Sequence, residues 1–474
     1  MMAIFMAAVE GTIVATAMPT IVAELGGFSL FSWVFTSYFL AQAVTTPIYG
    51  RLADLFGRKH VFFVGSCIFL IGSTACGLTL GMIPLIAFRT LQGLGAGAIQ
   101  SISTTIIADI YAPAERARLQ GWVSSVWGLA AVIGPVLGVF IVEHLHWSFV
   151  FWINLPIGIA AITILAIFLH EGLNPRQHHI DYLGSTLLML GVGAIMMVVV
   201  QAESLERSVI AALLLVGAFA LALLVVNERR SLEPIVPFAL LGRRVIAAGN
   251  LGGLAIGALL SCVVGFLPTY VQGAMGRSPT TTGIVIAVLS VAWALASIVA
   301  GRVMVKTSYR LTGAFGALAL ISGCALLIAL DESNSLAFVN SGAVLIGIGM
   351  GFCHTTFLVA IQASVSWGER GAATSSLVFM RTIGQAMGAG IAGAIVNFTL
   401  ARTAPSAGDI LNQLLEPSRR ASLDPQTIDQ LSHAIAGSLH KVYVIAGVLA
   451  ALTLALIAML PAGASPTRPA KANS

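Results

Sequence analysis

The sequence predicts an all-α polytopic membrane protein with fourteen membrane helices, arranged as two pseudo-symmetric six-helix bundles plus two inserted helices. Three observations predict it. Of 474 residues, 58% are hydrophobic and 9% charged, whereas a soluble domain needs about 25% charged residues to face water. The apolar residues form long continuous runs, where a barrel would alternate them. Finally, the chain repeats itself. GLGAG at Gly93–Gly97 returns as GIGMG at Gly347–Gly351, an offset of 254 that also carries Glu115-Arg116 onto Glu369-Arg370 and Gly134 onto Gly388. Gly50-Arg51 returns as Gly301-Arg302 at an offset of 251.

In chain order the runs fall at roughly 2–23, 30–50, 61–80, 82–108, 120–142, 148–170, 181–201, 209–227, 246–271, 280–301, 311–330, 336–363, 372–399 and 440–461. Each is long enough to cross about 30 Å of hydrocarbon as a helix, with every backbone polar group satisfied internally. Residues 1–170 form the N-terminal bundle, 171–245 the inserted pair with its cytoplasmic flanks, 246–461 the C-terminal bundle and 462–474 a cytoplasmic tail. An even-numbered insertion keeps both halves facing the same way. Parallel repeats of this kind place a binding site at their interface near the midplane, here predicted between spans 1, 4, 9 and 12. The sizeable extramembrane loop is 400–439, where Ile428, Leu431, Ile435 and Leu439 recur at helical spacing behind Asp424-Pro425. That pattern predicts a short amphipathic helix lying on the outer surface. Forty residues bury too little core for a catalytic domain.

The basic residues orient the chain. Arg51, Arg58, Lys59, Arg116, Arg118, Arg176, Arg229, Arg230, Arg243, Arg244, Arg302, Lys306, Arg310, Arg370, Arg468 and Lys471 collect on one side, against Arg207, Arg277, Arg402, Arg419, Arg420 and Lys441 on the other. The positive-inside rule then puts both termini in the cytoplasm, in a cell's inner (plasma) membrane. No secretory signal is visible. The first run begins at residue 2 without a basic flank, which agrees with a true start upstream of Met1.

Sorting the acids finds the chemistry. Of 19 carboxylates, only Glu10 lies well inside a span, about 13 Å along the first helix at about 1.5 Å per residue. An intramembrane acid is costly unless neutral, paired or in water. Burial brings its protonation into a switchable range, and a group that takes a proton on one side and releases it on the other is what proton coupling requires. Arg89 is the second intramembrane charge, and Gln92, Gln100 and Ser103 follow it along one stripe of the fourth span. Such a stripe should face a cavity, where Arg89 can modulate a nearby carboxylate or hold water and backbone carbonyls. In the second half His354 and Arg381 are the polar outliers. His354 fits either a substrate contact or a structural hydrogen bond. Arg381, ahead of the small-residue run GQAMGAG, fits either a transport role or an anchor beside close helix packing. Tyr38, Gln42, Asn250 and Ser261 are further candidates for the cavity lining.

The same sequence excludes other classes. Cys67, Cys76, Cys262, Cys324 and Cys353 sit in apolar runs with no metal-ligand spacing and read as small hydrophobes. No metal site, nucleic-acid stripe or GxxxxGK[ST] loop is present, so ATP is not the energy source. A lipid-modifying enzyme needs clustered His, Asp and Glu at an interface, and a channel needs a charge ring or filter loop; neither pattern occurs.

Four segments, in order along the chain, resemble the motifs of the major facilitator superfamily, in particular its fourteen-helix drug:proton antiporter branch (the EmrB/QacA type). The first span's Glu10…Thr12-Ile13-Val14…Ala17-Met18-Pro19 is similar to the branch signature, with Glu10 in place of aspartate. Gly50-Arg51-Leu52-Ala53-Asp54-Leu55-Phe56-Gly57-Arg58-Lys59 resembles the loop motif, with Leu55 where a base is usual. Leu85…Arg89…Gln92-Gly93…Gly95-Ala96 resembles the proton-transfer motif of the fourth span. Gly121…Gly134-Pro135…Gly138 resembles the antiporter motif of the fifth, with Ala130 and Val139 where glycines are expected.

The resemblance implies a proton-coupled secondary exporter of lipophilic or amphipathic small molecules, working by alternating access. The same fold exporting a native lipid, siderophore or metabolite is the alternative. Glu10 and Arg89 would handle the proton, while Gly50, Asp54, Gly57, Arg58 and Asp109 would form a cytoplasmic gate. Gly134, Pro135 and Gly138 would let span 5 approach a second-half helix. With a single intramembrane acid, neutral or monocationic cargo is expected. The proton gradient replaces any cofactor, the partners are the bilayer, the cargo and protons, and an envelope partner protein is left open.

Overall fold

The computed structural model describes residues 1–110, 113–169, 181–201, 205–230, 242–331, 335–365, 370–403, 414–415, 420 and 422–461. Each predicted run falls on a helix: α1 Met2–Leu25, α2 Phe31–Phe56, α3 Arg58–Gly77, α4 Met82–Ile110, α5 Pro113–His144, α6 Asn154–Phe168, α7 Tyr182–Gln201, α8 Arg207–Arg230, α9 Arg244–Val264, α10 Pro279–Lys306, α11 Tyr309–Ile328, α12 Leu336–Ala363, α13 Arg370–Thr403 and α14 Pro425–Ala458. Local chemistry sets several ends. Pro113, Pro279 and Pro425 open helices where a missing N–H costs nothing. Asp424 accepts from the Gln426 amide at 3.1 Å and Ser308 from Leu311 at 3.2 Å, capping α14 and α11. Between α2 and α3 the chain turns at Gly57, whose φ of 85° is open to glycine without strain.

By length and composition, eleven helical stretches of the described residues can cross a membrane. The expected count of fourteen crossings is therefore not reached on that criterion. The physical reason is plain for α2, where Ser32, Thr36, Ser37, Gln42, Thr45 and Thr46 dilute the apolar run. Among the described residues α5 and α7 contribute the shorter apolar stretches Val132–His144 and Thr186–Val199.

A second correction concerns the loop at 400–439. Its helical part is not a separate surface helix but the first turns of α14, continuous from Pro425 to Ala458. Leu431, Ile435 and Leu439 are buried, and Ile435 reaches within 3.0 Å of where a β-carbon on Gly273 would lie. The apolar stripe of that helix is satisfied by protein packing.

The chain divides into two compact units, Met1–Val236 with Val264–Ala287 and Ala389–Leu439, and Pro237–Val263 with Val288–Gly388 and His440–Ser474. Within the first unit, α4 packs against α2 and α3 through its repeated glycines. A β-carbon on Gly93 would strike the Tyr38 carbonyl, one on Gly97 would lie 3.0 Å from the Gln42 carbonyl, and one on Gly95 would lie 2.6 Å from the Gly65 carbonyl. Within the second unit α12 does the same: a β-carbon on Gly347 would strike the Leu289 carbonyl, one on Gly351 would lie 2.7 Å from that of Trp293 and one on Gly349 2.7 Å from that of Gly316. All three partners shift by 251 while the glycines shift by 254, so the sequence repeat is a packing repeat. Side chains cannot occupy these positions because the helix backbones themselves are in contact.

Candidate functional site

Five helices of the first unit bring polar groups to one buried point. Glu10 on α1 is 0% exposed and Arg89 on α4 is 1% exposed. The Arg89 Nη1 donates to Glu10 Oε1 in an ion pair, and also to Gln92 Oε1 at 2.6 Å. Its Nε donates to the Val34 carbonyl on α2 at 3.2 Å, and its guanidinium lies 4.1 Å from the centre of the Tyr38 ring. Asn154, the first residue of α6, donates from Nδ2 to the second Glu10 oxygen at 2.6 Å and to Ser73 Oγ at 3.0 Å. Ser73 on α3 also accepts from Gln92 Nε2 at 3.0 Å and donates to the Phe151 carbonyl at 2.8 Å.

A buried ion pair survives only when its remaining hydrogen-bonding capacity is filled, and removing one partner costs about 3–5 kcal/mol. Here both carboxylate oxygens and the guanidinium are engaged, so the site is closed around its charges. One acceptor, Asn154 Oδ1, is left without a partner. This network is not repeated in the second half, since the 254 offset replaces Arg89 and Gln92 by Ala343 and Ile346.

The structure thus unites Glu10, Arg89, Gln92 and Tyr38. It adds Ser73 and Asn154, which the sequence reading missed; Asn154, an amide inside an apolar run, could have been found by the rule that found Glu10. Gln42 and Gln100 are partly exposed on α2 and α4. In the second unit Asn250 is 1% exposed and neither of its amide atoms has a partner. Ser261 is buried further along α9. His354 and Arg381 are partly exposed, with His354 Nδ1 and Arg381 Nε unpartnered.

The expected gate is described in part. Arg58 Nη1 donates to the Ala53 carbonyl at 3.2 Å, and Gly50 lies against Ser101. The neighbouring Lys59 caps the end of α6 through the Ala166 and Leu169 carbonyls at 2.5 and 3.2 Å. Asp54, Asp109 and, in the antiporter motif, Gly121 are described only as helical positions, without their surroundings.

The antiporter motif requires a correction. Gly134 and Gly138 do not turn toward a second-half helix; β-carbons there would lie 3.3 Å from the Val9 carbonyl and 3.2 Å from the Ile13 carbonyl of α1. Gly388, the repeat partner of Gly134, likewise seats α13 on Ala258 of α9. The approach to a second-half helix is made instead by Pro135 and Val139: a β-carbon on Gly283 would strike the Val139 side chain and lie 3.3 Å from the Pro135 carbonyl.

That contact belongs to a set the sequence did not reveal, all within the first unit. Glu143 accepts from the Thr280 amide at 3.2 Å and from its hydroxyl. Asn397 Nδ2 donates to the Ser29 carbonyl at 2.6 Å, Gly393 abuts Ser32, and the Phe31 and Phe266 rings sit 5.1 Å apart.

Comparison with solved structures gives the fold. A bacterial homolog of the human lysosomal transporter Spinster, solved inward-facing and occupied, superposes with a TM-score of 0.65 at 16% identity, covering 96% of this chain and 94% of that one. Among curated proteins, the multidrug transporter protein MdtP of Bacillus subtilis (strain 168) is 35% identical over 426 residues, 88% of this chain and 76% of its own. Multidrug resistance protein 3 of the same organism is 30% identical over 476 residues, 96% of this chain and 93% of its own. The family model for the Major Facilitator Superfamily matches residues 1–389. The chain belongs to the major facilitator superfamily and is a membrane transporter, not an enzyme.

Proposed function

We propose that the protein is a proton-coupled exporter of lipophilic or amphipathic small molecules, of the fourteen-helix drug:proton antiporter branch. It would lie in the plasma membrane with both termini cytoplasmic, driven by the proton gradient alone. The observation that carries this reading is the fully buried Glu10–Arg89 pair and its closed set of partners. The names of the two Bacillus relatives support drugs as cargo.

In this reading the charged pair is one state of a two-state element. A proton arriving at Glu10 neutralises it, and Arg89 must then rely on Gln92, the Val34 carbonyl and the Tyr38 ring. Glu10 sits on the helix that α5 grips through Gly134 and Gly138, so rearrangement at the acid is passed directly to α5. The α5–α10 and Ser29–Asn397 contacts are the natural closure of the outer side, and Asp54, Arg58 and Asp109 that of the cytoplasmic side. Alternating access is the exchange of one closure for the other.

The test is transport by the purified protein in liposomes with an imposed ΔpH. Cargo addition is expected to release protons in the native protein. Glu10→Gln is expected to abolish that release while leaving expression and elution intact. Uphill, pH-driven transport by the Glu10→Gln variant would overturn the reading, and lipid or metabolite cargo would show as proton release on adding those compounds but not drugs.

A further inference from the structure

Among the described residues, Arg381 is a charge without a counter-charge. It lies eleven residues into α13, about 16 Å from the helix start at about 1.5 Å per residue, and its Nε is buried with no hydrogen-bond partner. No ion pair to it occurs among the described residues. More tellingly, the sequences of α9, α10, α11, α12 and α13 contain no aspartate or glutamate at all. In the first half Arg89 has Glu10; in the second half the base stands alone. A fixed cation at membrane depth is expensive unless an anion or water meets it.

Its surroundings supply further unfilled donors. The α9 backbone presses on the α13 backbone at Arg381 itself, because Gly257 has no side chain to hold them apart. Gly252 seats α9 on Phe357 of α12, one turn beyond His354. Thus α12 and α13 flank the same stretch of α9. His354, one turn before Phe357 on α12, has an Nδ1 with no partner. Asn250 lies on the same face of α9 as Leu254 and Gly257, which meet α13. It is 1% exposed with both amide atoms unpartnered. The α9 glycines that flank Asn250 meet apolar side chains: Gly249 meets Ile361, Gly252 Phe357 and Gly253 Leu377.

We propose that this second-unit cluster is a cargo subsite for amphipathic organic anions, with Arg381 pairing the anionic group and His354 and Asn250 completing its hydrogen bonds. This reverses the expectation of neutral or monocationic cargo drawn from the single acid, because that acid is already spent on Arg89. The inference rests on the exporter reading for its meaning as transport, but binding tests it independently.

The experiment is equilibrium dialysis of radiolabelled taurocholate against the purified full-length chain in dodecyl maltoside, with tetraphenylphosphonium as the cationic comparator. Taurocholate is expected to bind saturably and to be displaced by dodecanoate but not by chloride. Arg381→Gln is expected to weaken it by about tenfold or more, the loss of one charge-assisted pair, with tetraphenylphosphonium binding not weakened. Should Arg381→Gln fail to fold, Arg381→Lys keeps the charge but loses the planar fork, and an intermediate weakening is expected. Non-saturable taurocholate, displacement by chloride, or unchanged affinity in a folded Arg381 variant overturns the proposal. Proton release driven by tetraphenylphosphonium with no taurocholate binding would leave the exporter reading standing and remove this one.

Discussion

Glu10 is fully buried, so its charge depends on what its two oxygens touch. Arg89 and Asn154 fill them, and Arg89 is itself held by three further groups. The pair should therefore behave as a unit in a double-mutant cycle. Arg89→Gln alone leaves a buried carboxylate unpaired and is expected to destabilise by about 3–5 kcal/mol. Adding Glu10→Gln removes the orphaned charge, so the double variant should be more stable than Arg89→Gln by thermal unfolding in detergent. Additive losses would mean that the two side chains do not interact. This site was half legible in the sequence. An acid, a guanidinium or the lone amide of Asn154 inside an apolar run declares itself by its cost, whereas Ser73 is a small neutral group common in membrane helices. Only the crossing of α3 and α6 at the pair makes them partners.

Among elements, α1 and α5 show why a motif does not name its own partner. The glycines of α5 were visible as a small-residue face, yet a face has no address in sequence. The repeat supplies the answer, since Gly134 and Gly388 each seat the fifth helix of a half on the first. Space decides what each glycine tolerates. A β-carbon at Gly134 would strike Thr12, whereas at Gly11, on α1, nothing lies within 4 Å. Gly134→Val should thus force α5 off α1, costing about 1–3 kcal/mol as an overpacked core does, and depress transport with it. Gly11→Ala should be neutral or stabilising by up to about 1 kcal/mol, the helix propensity difference. Unfolding midpoints and initial transport rates of the two variants, measured side by side, check the contrast. Equal effects at both positions would mean that α1 and α5 are not in contact.

At the scale of the molecule, the helices were legible because a bilayer imposes one signal, continuous apolarity, on each of them. The count of crossings was less so, because polar side chains of α2 that serve packing and the Arg89 site lower its hydropathy. The continuity of α14 was obscured because amphipathic spacing reads the same whether the stripe meets lipid or protein. Nor could the pattern show which helix ends close on one another, since that depends on tertiary contacts far apart in the chain. The α5–α10 contact offers a direct handle on this. Val139 Cβ lies 3.5 Å from where a β-carbon on Gly283 would sit, within the roughly 3.5–4.5 Å span of a disulfide. In a background with the native cysteines replaced, Val139→Cys with Gly283→Cys should cross-link on oxidation and stop transport, and a reductant should restore it. Either single cysteine should be insensitive to both treatments. If α5 and α10 must part during each cycle, a cross-linked protein cannot turn over; continued transport after quantitative cross-linking would show that this contact stays closed throughout.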